Sequence, residues 1–174
     1  MNKNIGKLLI LGGFGLKALS SFISFVTNYR IIDLGSAIFG IGNIASMLAY
    51  AAVAAGFVVL FIADRDIIDL AIACCVGIQV FVPFISNILQ GGAVLYSVAN
   101  FLFLGAMLVW AYRMYTTAPI ATIAIAGSTA FSFIFPIILS AVGSDPFTVY
   151  MLNLFVGLIV SCCYAGAAFL YYRG

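Results

Sequence analysis

Lys17 is the one charged residue in a long apolar stretch near the start of the chain, and three other polar residues share its helix face. Positions i, i+4, i+7 and i+11 lie on one side of an α-helix, and here they are Lys17, Ser21, Ser24 and Asn28. A lysine supplies charged hydrogen-bond donors, and serine and asparagine supply neutral donors and acceptors. This row predicts a site that binds an anionic group or that pairs with an acid of another protein.

Further polar residues are surrounded by apolar ones later in the chain. One row at helical spacing consists of Gln79, Ser86 and Gln90, with Pro83 among them. Another consists of Thr129, Ser132, Pro136 and Ser140, and single amides occur at Asn43, Asn100 and Asn153. In hydrocarbon such groups turn toward other helices or toward a wet cavity. They therefore predict either polar packing between membrane helices or the lining of a binding pocket or pathway.

The elements that carry these rows are predicted to be membrane-spanning helices. Of the 174 residues, 66% are hydrophobic and 7% are charged, whereas about a quarter of a soluble domain is charged. About 20 apolar residues cross the hydrocarbon core as a helix. The stretches long enough to do so are 8–29, 37–62, 67–89, 93–112, 118–142 and 147–171. We therefore predict a polytopic integral membrane protein, all-α, with a single domain over 1–174 that forms a compact six-transmembrane-helix bundle with very short loops.

The basic residues predict which way the bundle faces. If the N-terminus is cytoplasmic, Arg30 alone lies outside, and five basic residues lie inside: Lys3, Lys7, Arg65, Arg113 and Arg173. Cytoplasmic loops are enriched in Lys and Arg, so we predict that both termini are cytoplasmic, and we expect a bacterial or archaeal plasma membrane. Residues 1–20 also resemble a secretory signal. We expect a retained first helix instead, because Lys17 lies where a cleavage region is normally uncharged.

Small residues predict where two helices approach each other closely. The second span carries Gly35, Gly42, Ala49 and Gly56 at a strict seven-residue spacing, which is typical of a helix-packing seam. A separate hypothesis concerns the halves 1–88 and 93–174, which hold three predicted spans each. An odd number of spans per half would relate the two halves as an inverted repeat, as in many transporters.

The composition argues against several classes of function. The chain has no histidine, and its four cysteines form two adjacent pairs within apolar runs, Cys74-Cys75 and Cys162-Cys163. We interpret these cysteines as packing residues and expect no metal and no cofactor, because further ligands at metal-binding spacings are missing. No catalytic motif is present, so we do not expect an enzyme. A net charge of +2 without a basic cluster does not favour nucleic acid.

Lys17 is predicted to lie deep in the membrane without a carboxylate partner. It follows Lys7 by ten residues, which is about 15 Å along a helix axis. A lysine at that depth costs about 3 kcal/mol on insertion scales. The five acids all lie in predicted loops or helix ends: Asp33, Asp64, Asp66, Asp69 and Asp145. Lys17 therefore either extends toward the inner face, or is held by hydroxyls beside water, or meets an anionic ligand or lipid head group, or pairs with another protein.

Two functions follow from these alternatives, beyond the lipid bilayer as the common partner. The first is a small membrane transport protein, meaning a carrier, a channel or a solute-binding membrane subunit, with a polar site lined by spans 1, 3 and 5. The second is a non-catalytic subunit that assembles with other membrane proteins, or with copies of itself, in a larger complex. A cavity between the polar rows of spans 1 and 3, with Lys17 in its wall, would favour transport, whereas a flat Lys17 face that opens to the outside of the bundle would favour a partner subunit.

Overall fold

The computed structural model describes residues 3–29, 37–88, 92–143 and 145–174, except for the side chains of residues 37–41, 84, 86–88, 92–93 and 140–142. These residues form α1 (Lys3–Asn28), α2 (Ala37–Asp64), α3 (Ile67–Ile88), α4 (Gly92–Met114), α5 (Pro119–Val142) and α6 (Pro146–Arg173). No strand occurs in the part of the chain that is described, so the prediction of an all-α fold is confirmed there.

Five of the helices are long and apolar enough to cross a membrane. The described apolar part of α3, Ile67–Pro83, is shorter, so the prediction of six spans is supported for five helices. The helix bounds lie close to the predicted stretches. The largest difference is at α1, which begins at Lys3 rather than at residue 8, because helical hydrogen bonding continues past the end of an apolar run.

The turn between α5 and α6 has an identifiable stop and start signal. Gly143 follows α5 with a φ of 69°, a left-handed conformation that glycine adopts without strain. Asp145 then caps α6, and its carboxylate accepts hydrogen bonds from the backbone N–H groups of Phe147 and Thr148, both at 3.0 Å. These bonds satisfy donors that the first turn of a helix leaves without an intrahelical partner.

The six helices form a closed ring. Each helix packs mainly against its neighbours in the chain, and α6 returns to pack against α1. Consecutive helices run in opposite directions, so the helix ends gather into two groups. One end of the ring, called here the basic end, holds Lys3, Asp64, Arg113 and Arg173, and the opposite end holds Asn28 and Asp145.

The closest helix contact in the ring joins α1 and α2 through small residues spaced seven apart on both helices. The facing pairs are Gly6 with Gly56, Gly13 with Ala49, and Ser20 with Gly42. A Cβ atom added at Gly6 would lie 2.9 Å from the Gly56 oxygen, and one at Gly13 would lie 2.7 Å from the Ala49 oxygen. Three members of the predicted seam thus lie against α1, and Gly35 lies outside the described residues.

Aromatic side chains fill the centre of the ring toward the basic end. The ring of Trp110 stacks on Phe14 with centroids 5.5 Å apart. Phe57 and Tyr171 meet the same indole edge-on, at 5.6 and 5.7 Å. Trp110 is 2% exposed, and such aromatic pairs add attraction beyond the burial of apolar area. This aromatic cluster, defined as Phe14, Phe57, Trp110 and Tyr171, closes one half of the ring.

The α1–α2 contact predicts opposite effects for two adjacent glycines. Gly13→Ala should lower the free energy of unfolding by about 1–3 kcal/mol, because its new methyl group would overlap backbone atoms of α2. Gly12→Ala is the matched control, since a Cβ there meets nothing within 4 Å. It should leave stability unchanged or raise it by up to about 1 kcal/mol through helix propensity. Reversible unfolding in mixed micelles measures the free energy of unfolding of both variants. Equal changes in Gly13→Ala and Gly12→Ala would contradict the close contact between α1 and α2.

The cap of α6 predicts an acid-dependent loss of stability. Hydrogen bonds from the Thr148 hydroxyl, the Thr148 N–H and the Phe147 N–H hold the pKa of Asp145 below its ordinary value of 3.8. A carboxyl with a lowered folded-state pKa stabilises the fold above its unfolded pKa, and this contribution disappears as pH falls through the folded value. Asp145→Asn keeps a capping side chain but cannot titrate. The melting temperature should therefore fall less steeply between pH 6 and pH 2 in Asp145→Asn than in the unmodified chain. Parallel plots of melting temperature against pH would contradict a stabilising role for the Asp145 carboxylate.

Candidate functional site

Lys17 is held on α1 by a directed chain of hydrogen bonds to α2. Its Nζ donates to Ser46 Oγ at 3.1 Å, and Ser46 Oγ lies 2.9 Å from Ser20 Oγ. The Ser20 hydroxyl donates to the backbone oxygen of Gly42 at 2.9 Å. Because Ser20 has one proton to donate, the Ser46 hydroxyl must donate to Ser20 and accept from Lys17. The chain therefore fixes the position of the ammonium and uses one of its three N–H groups.

The ammonium of Lys17 also lies over an aromatic ring. Its Nζ is 5.1 Å from the centre of the Tyr50 ring, a distance at which the ring quadrupole attracts a cation. Among the described residues, the ion pairs join Lys3 to Asp64, and Arg113 to both Asp66 and Asp69. None of these pairs includes Lys17. Its neighbours in the described part of the chain are thus hydroxyls and an aromatic face. Of the two other acids, Asp145 caps α6, and Asp33 lies outside the described residues.

A cavity of about 550 Å³ lies in the half of the ring that the aromatic cluster leaves open. Its wall is formed by residues of α1, α2, α4, α5 and α6. Those that matter most for its chemistry are Lys17, Ser21, Tyr50, Asn100, Ser132 and Ser161. Lys17 is the one charged side chain among the described residues of the wall. Lys17 thus lies in a cavity wall, but this cavity is not the expected one between the rows of spans 1 and 3, because no described residue of α3 lines it.

The serine hydroxyls of the cavity wall mostly donate to the helix backbone. Ser161 donates to the Gly157 oxygen at 2.7 Å, and Ser132 donates to the Ser128 oxygen at 2.8 Å. Ser21 lies 3.0 Å from Ser161 Oγ, and since the Ser161 proton is already used, Ser21 is the donor of that pair. These serines therefore present oxygen lone pairs to the cavity rather than O–H donors.

The apolar part of the wall is a connected set of aromatic rings. Tyr50 meets Phe103 edge-on at 5.6 Å, and Phe103 meets Tyr164 edge-on at 5.9 Å. Phe14 packs on Tyr164 at 5.5 Å. The Tyr164 hydroxyl lies 2.9 Å from the Thr129 hydroxyl, within hydrogen-bond distance. This aromatic wall, defined as Phe14, Tyr50, Phe103 and Tyr164, runs from beneath Lys17 across to α4 and α6.

The polar row of α1 divides between two neighbouring helices. Lys17 faces α2 and Ser21 faces α6, and both line the cavity. Ser24 lies in the α1–α2 contact, with its Oγ 3.5 Å from the Cβ position of Gly42. Asn28 lies near the end of the ring, where its Oδ1 accepts a hydrogen bond of 3.0 Å from the Tyr150 hydroxyl. One helix face thus supplies two cavity residues and two packing residues.

Gln79 belongs to the predicted row on α3 and does not line the cavity. It is 8% exposed, and its Nε2 donates to the backbone oxygen of Ala99 at 2.8 Å. The amide therefore joins α3 to α4. The side chain of Ser86 and all of Gln90 lie outside the described residues. The described wall of the cavity is formed by residues of spans 1, 2, 4, 5 and 6.

Several residues of the site were not singled out by spacing. Ser46, which bonds Lys17, and Tyr50 follow Gly42 at intervals of four residues, so they continue the face of α2 that carries the seam, and this signal could have found them. Ser161 and Gly157 on α6 gave no such signal, because their role depends on α6 closing the ring against α1. The three single amides are all exposed, and of these Asn100 lines the cavity.

A smaller cavity of about 220 Å³ lies at the basic end. It is lined in part by Lys3, Lys7, Asp64 and Tyr171. Lys3 pairs with Asp64 at 2.6 Å, and Lys7 lies over the Tyr171 ring at 4.8 Å. Phe14 lines the large cavity and Tyr171 the small one, so the aromatic cluster around Trp110 lies between the two, together with other buried residues of the core.

The described residues hold no group of three or more His, Cys, Asp or Glu side chains that could bind a metal ion. The four cysteines are unpaired, and Cys74 and Cys162 are exposed on the outside of their helices. The chemistry available in the large cavity is therefore one fixed cation, neutral oxygen acceptors, an amide and aromatic surface. Such a set can bind and orient a small molecule.

Comparison of the chain with protein-family models, with curated proteins and with solved structures gave no match.

The position of Lys17 predicts that its replacement stabilises the empty protein. Lys17→Met keeps the length of the side chain and removes a charge that has no carboxylate partner in the described residues. We expect the free energy of unfolding in neutral detergent to rise by about 1–3 kcal/mol, the scale of the cost of a lysine inside a membrane helix. Lys7→Met at the basic end is the control and should change it by less than about 0.5 kcal/mol. A loss of stability in Lys17→Met would show instead that the lysine holds the bundle together.

Proposed function

We propose that this chain is a small, non-catalytic membrane transport protein that binds a solute in the cavity beside Lys17. It acts either as a carrier or as the solute-binding membrane subunit of a larger transporter. The observation that carries the proposal is a cavity of about 550 Å³ with a lysine in its wall that has no carboxylate partner among the described residues. This volume lies within the usual range for small-molecule sites.

The surface of the bundle supports its placement in a membrane. Large apolar side chains are exposed on the outside of the helices, including Ile44, Phe81, Ile123 and Ile137. The ion pairs of the described residues lie at the basic end. A bilayer would cover the apolar sides and leave the charged ends in water. The basic end would face the cytoplasm, because Lys and Arg are enriched on that side. Both termini lie at this end, as expected for the plasma membrane of a bacterium or archaeon.

Binding explains the cavity better than polar packing does. Protein interiors are packed about as densely as organic crystals, with few voids larger than a water molecule. Polar residues that serve only as contacts, such as Gln79 with Ala99, are buried between two helices. Lys17, Ser21 and Ser161 instead border open space. A lysine kept at such a site despite its cost to stability is typical of a functional position in a membrane protein.

The aromatic cluster makes the two ends of the bundle different, because it closes the large cavity toward the basic end. It separates the large cavity from the basic end, so solute would enter from the opposite end, where Asn28 and Asp145 lie. Release toward the cytoplasm would require Trp110 and Phe14 to move apart, which opens the large cavity toward the small one. The arrangement is consistent with an outward-facing state of a carrier or with a binding subunit that is emptied by a partner.

Filling the cavity should abolish binding without disturbing the helix that carries the change. Gly157 borders the cavity, and a Cβ there meets nothing within 4 Å. Gly166 lies on the same helix, is equally open and does not border the cavity. Gly157→Leu should remove any small-molecule adduct from the native mass spectrum of protein extracted in mild detergent. Gly157→Leu should also abolish stabilisation by compounds that raise the melting temperature of the unmodified chain, and Gly166→Leu should preserve both signals.

Two results would contradict the proposal. Equal adducts and equal stabilisation in both variants would place any ligand outside the cavity. The absence of ligand, together with stoichiometric co-purification of other membrane proteins, would instead support the alternative of a subunit that assembles in a larger complex.

A further inference from the structure

The wall of the large cavity constrains the charge of its ligand, provided that the proposed function holds. Lys17 is the one charged side chain among its described residues. A single negative charge on the ligand would be matched by this ammonium. A dianion would leave one charge without a partner in a largely aromatic site, and a cation would face Lys17 directly, so both are disfavoured.

The hydrogen-bond donors of the wall constrain the anionic group. One N–H of Lys17 is used by Ser46, and an ammonium has two more. The protons of Ser132 and Ser161 point to helix carbonyls, and that of Ser21 points to Ser161. The serine oxygens would repel an anion, and the Asn100 amide and Tyr50 hydroxyl are neutral, so the charge places the anion at Lys17. A carboxylate carries the single negative charge that this ammonium can match, whereas a phosphate carries three acceptor oxygens and close to two charges.

The aromatic wall constrains the rest of the ligand. Lys17 Nζ lies over the face of Tyr50, and the edge-to-face rings of Tyr50, Phe103 and Tyr164 continue from that point. Such a surface packs well against a flat apolar or aromatic body. Ser21 and Ser161 hold their lone pairs on the α1–α6 side of the cavity, where they can accept hydrogen bonds from N–H or O–H groups of the ligand.

From this arrangement we propose that the cavity binds a monovalent carboxylate carried on a flat, mainly apolar body. The carboxylate is held by Lys17, and the body lies along Tyr50, Phe103 and Tyr164. Lys17 thereby selects the charge of the ligand, and the aromatic wall selects its shape.

The assignment is tested with probes that share one flat body and differ in charge. Naphthalene-2-carboxylate, naphthalene-2-carboxamide and 2-naphthyl phosphate are titrated by calorimetry into the full chain in nanodiscs of phosphatidylcholine. Empty nanodiscs serve as the blank. The carboxylate should bind at least tenfold more tightly than either the amide or the phosphate. Octanoate tests whether the apolar part of the ligand must be flat. A carboxylate on a flexible chain, such as a membrane fatty acid, should bind less tightly than naphthalene-2-carboxylate.

Substitutions of Lys17 test whether this residue is responsible for the preference for a carboxylate over an amide. Lys17→Met and Lys17→Gln should weaken carboxylate binding at least tenfold and leave amide binding within about twofold of the unmodified chain. Lys7→Met removes another lysine that lies over an aromatic ring, but in the small cavity, and it should change none of the affinities. Amide binding as tight as carboxylate binding, or an equal loss in Lys7→Met, would overturn the charge assignment. Tighter binding of octanoate than of naphthalene-2-carboxylate would overturn the inference that the ligand has a flat body.

Failure of this inference can be told apart from failure of the proposed function. If no probe binds while the unmodified chain keeps a small-molecule adduct that Gly157→Leu removes, the ligand class is wrong and the solute-binding function stands. If no probe binds and no adduct is found, both are overturned.

Discussion

The close approach of α1 and α2 is the constraint on which the rest of the bundle depends. With only hydrogen atoms in place of side chains at Gly6, Gly13 and Gly56, the two backbones come within contact distance. At the third repeat of the same spacing, this proximity lets Ser20 reach a backbone oxygen of α2. The register set by these contacts places Lys17 beside a hydroxyl and an aromatic ring of α2. A shift of one helix turn would remove both.

The centre of the ring divides into a packed half and an open half because of where the large side chains lie. Toward the basic end, Trp110 and its neighbours fill the space between helices. Beyond Phe14 the residues of α1 and α6 that border the cavity include Ser21, Gly157 and Ser161, which are too small to fill it. The two serine hydroxyls bond to each other and to the backbone, so they are satisfied while the cavity stays open. This distribution packs the centre of the ring toward the basic end and leaves a cavity toward the other end.

Lys17 illustrates how a long apolar helix can hold a charge that has no ion pair among the described residues. The hydroxyl chain through Ser46 and Ser20 ends on a backbone carbonyl, and the face of Tyr50 adds a second, weaker attraction. These neutral contacts orient the ammonium but supply no compensating charge. In the proposed function the cation is positioned in advance for an anionic ligand, which limits the reorganisation needed on binding.

The sequence by itself determined the helices and the depth of Lys17 along the first of them. Apolar runs of membrane-spanning length between short polar breaks leave few alternatives to helices, but the sequence left open whether Lys17 extends toward the inner face, meets hydroxyls or an anionic group, or pairs with another protein. The seam on α2 was also readable, since spacing on one helix reports one face. Which faces meet was decided only by the tertiary structure. Gln79 and Lys17 have similar sequence surroundings, yet Gln79 joins α3 to α4 while Lys17 borders a cavity, because α6 closes the ring against α1 and leaves α3 on the outside of the site.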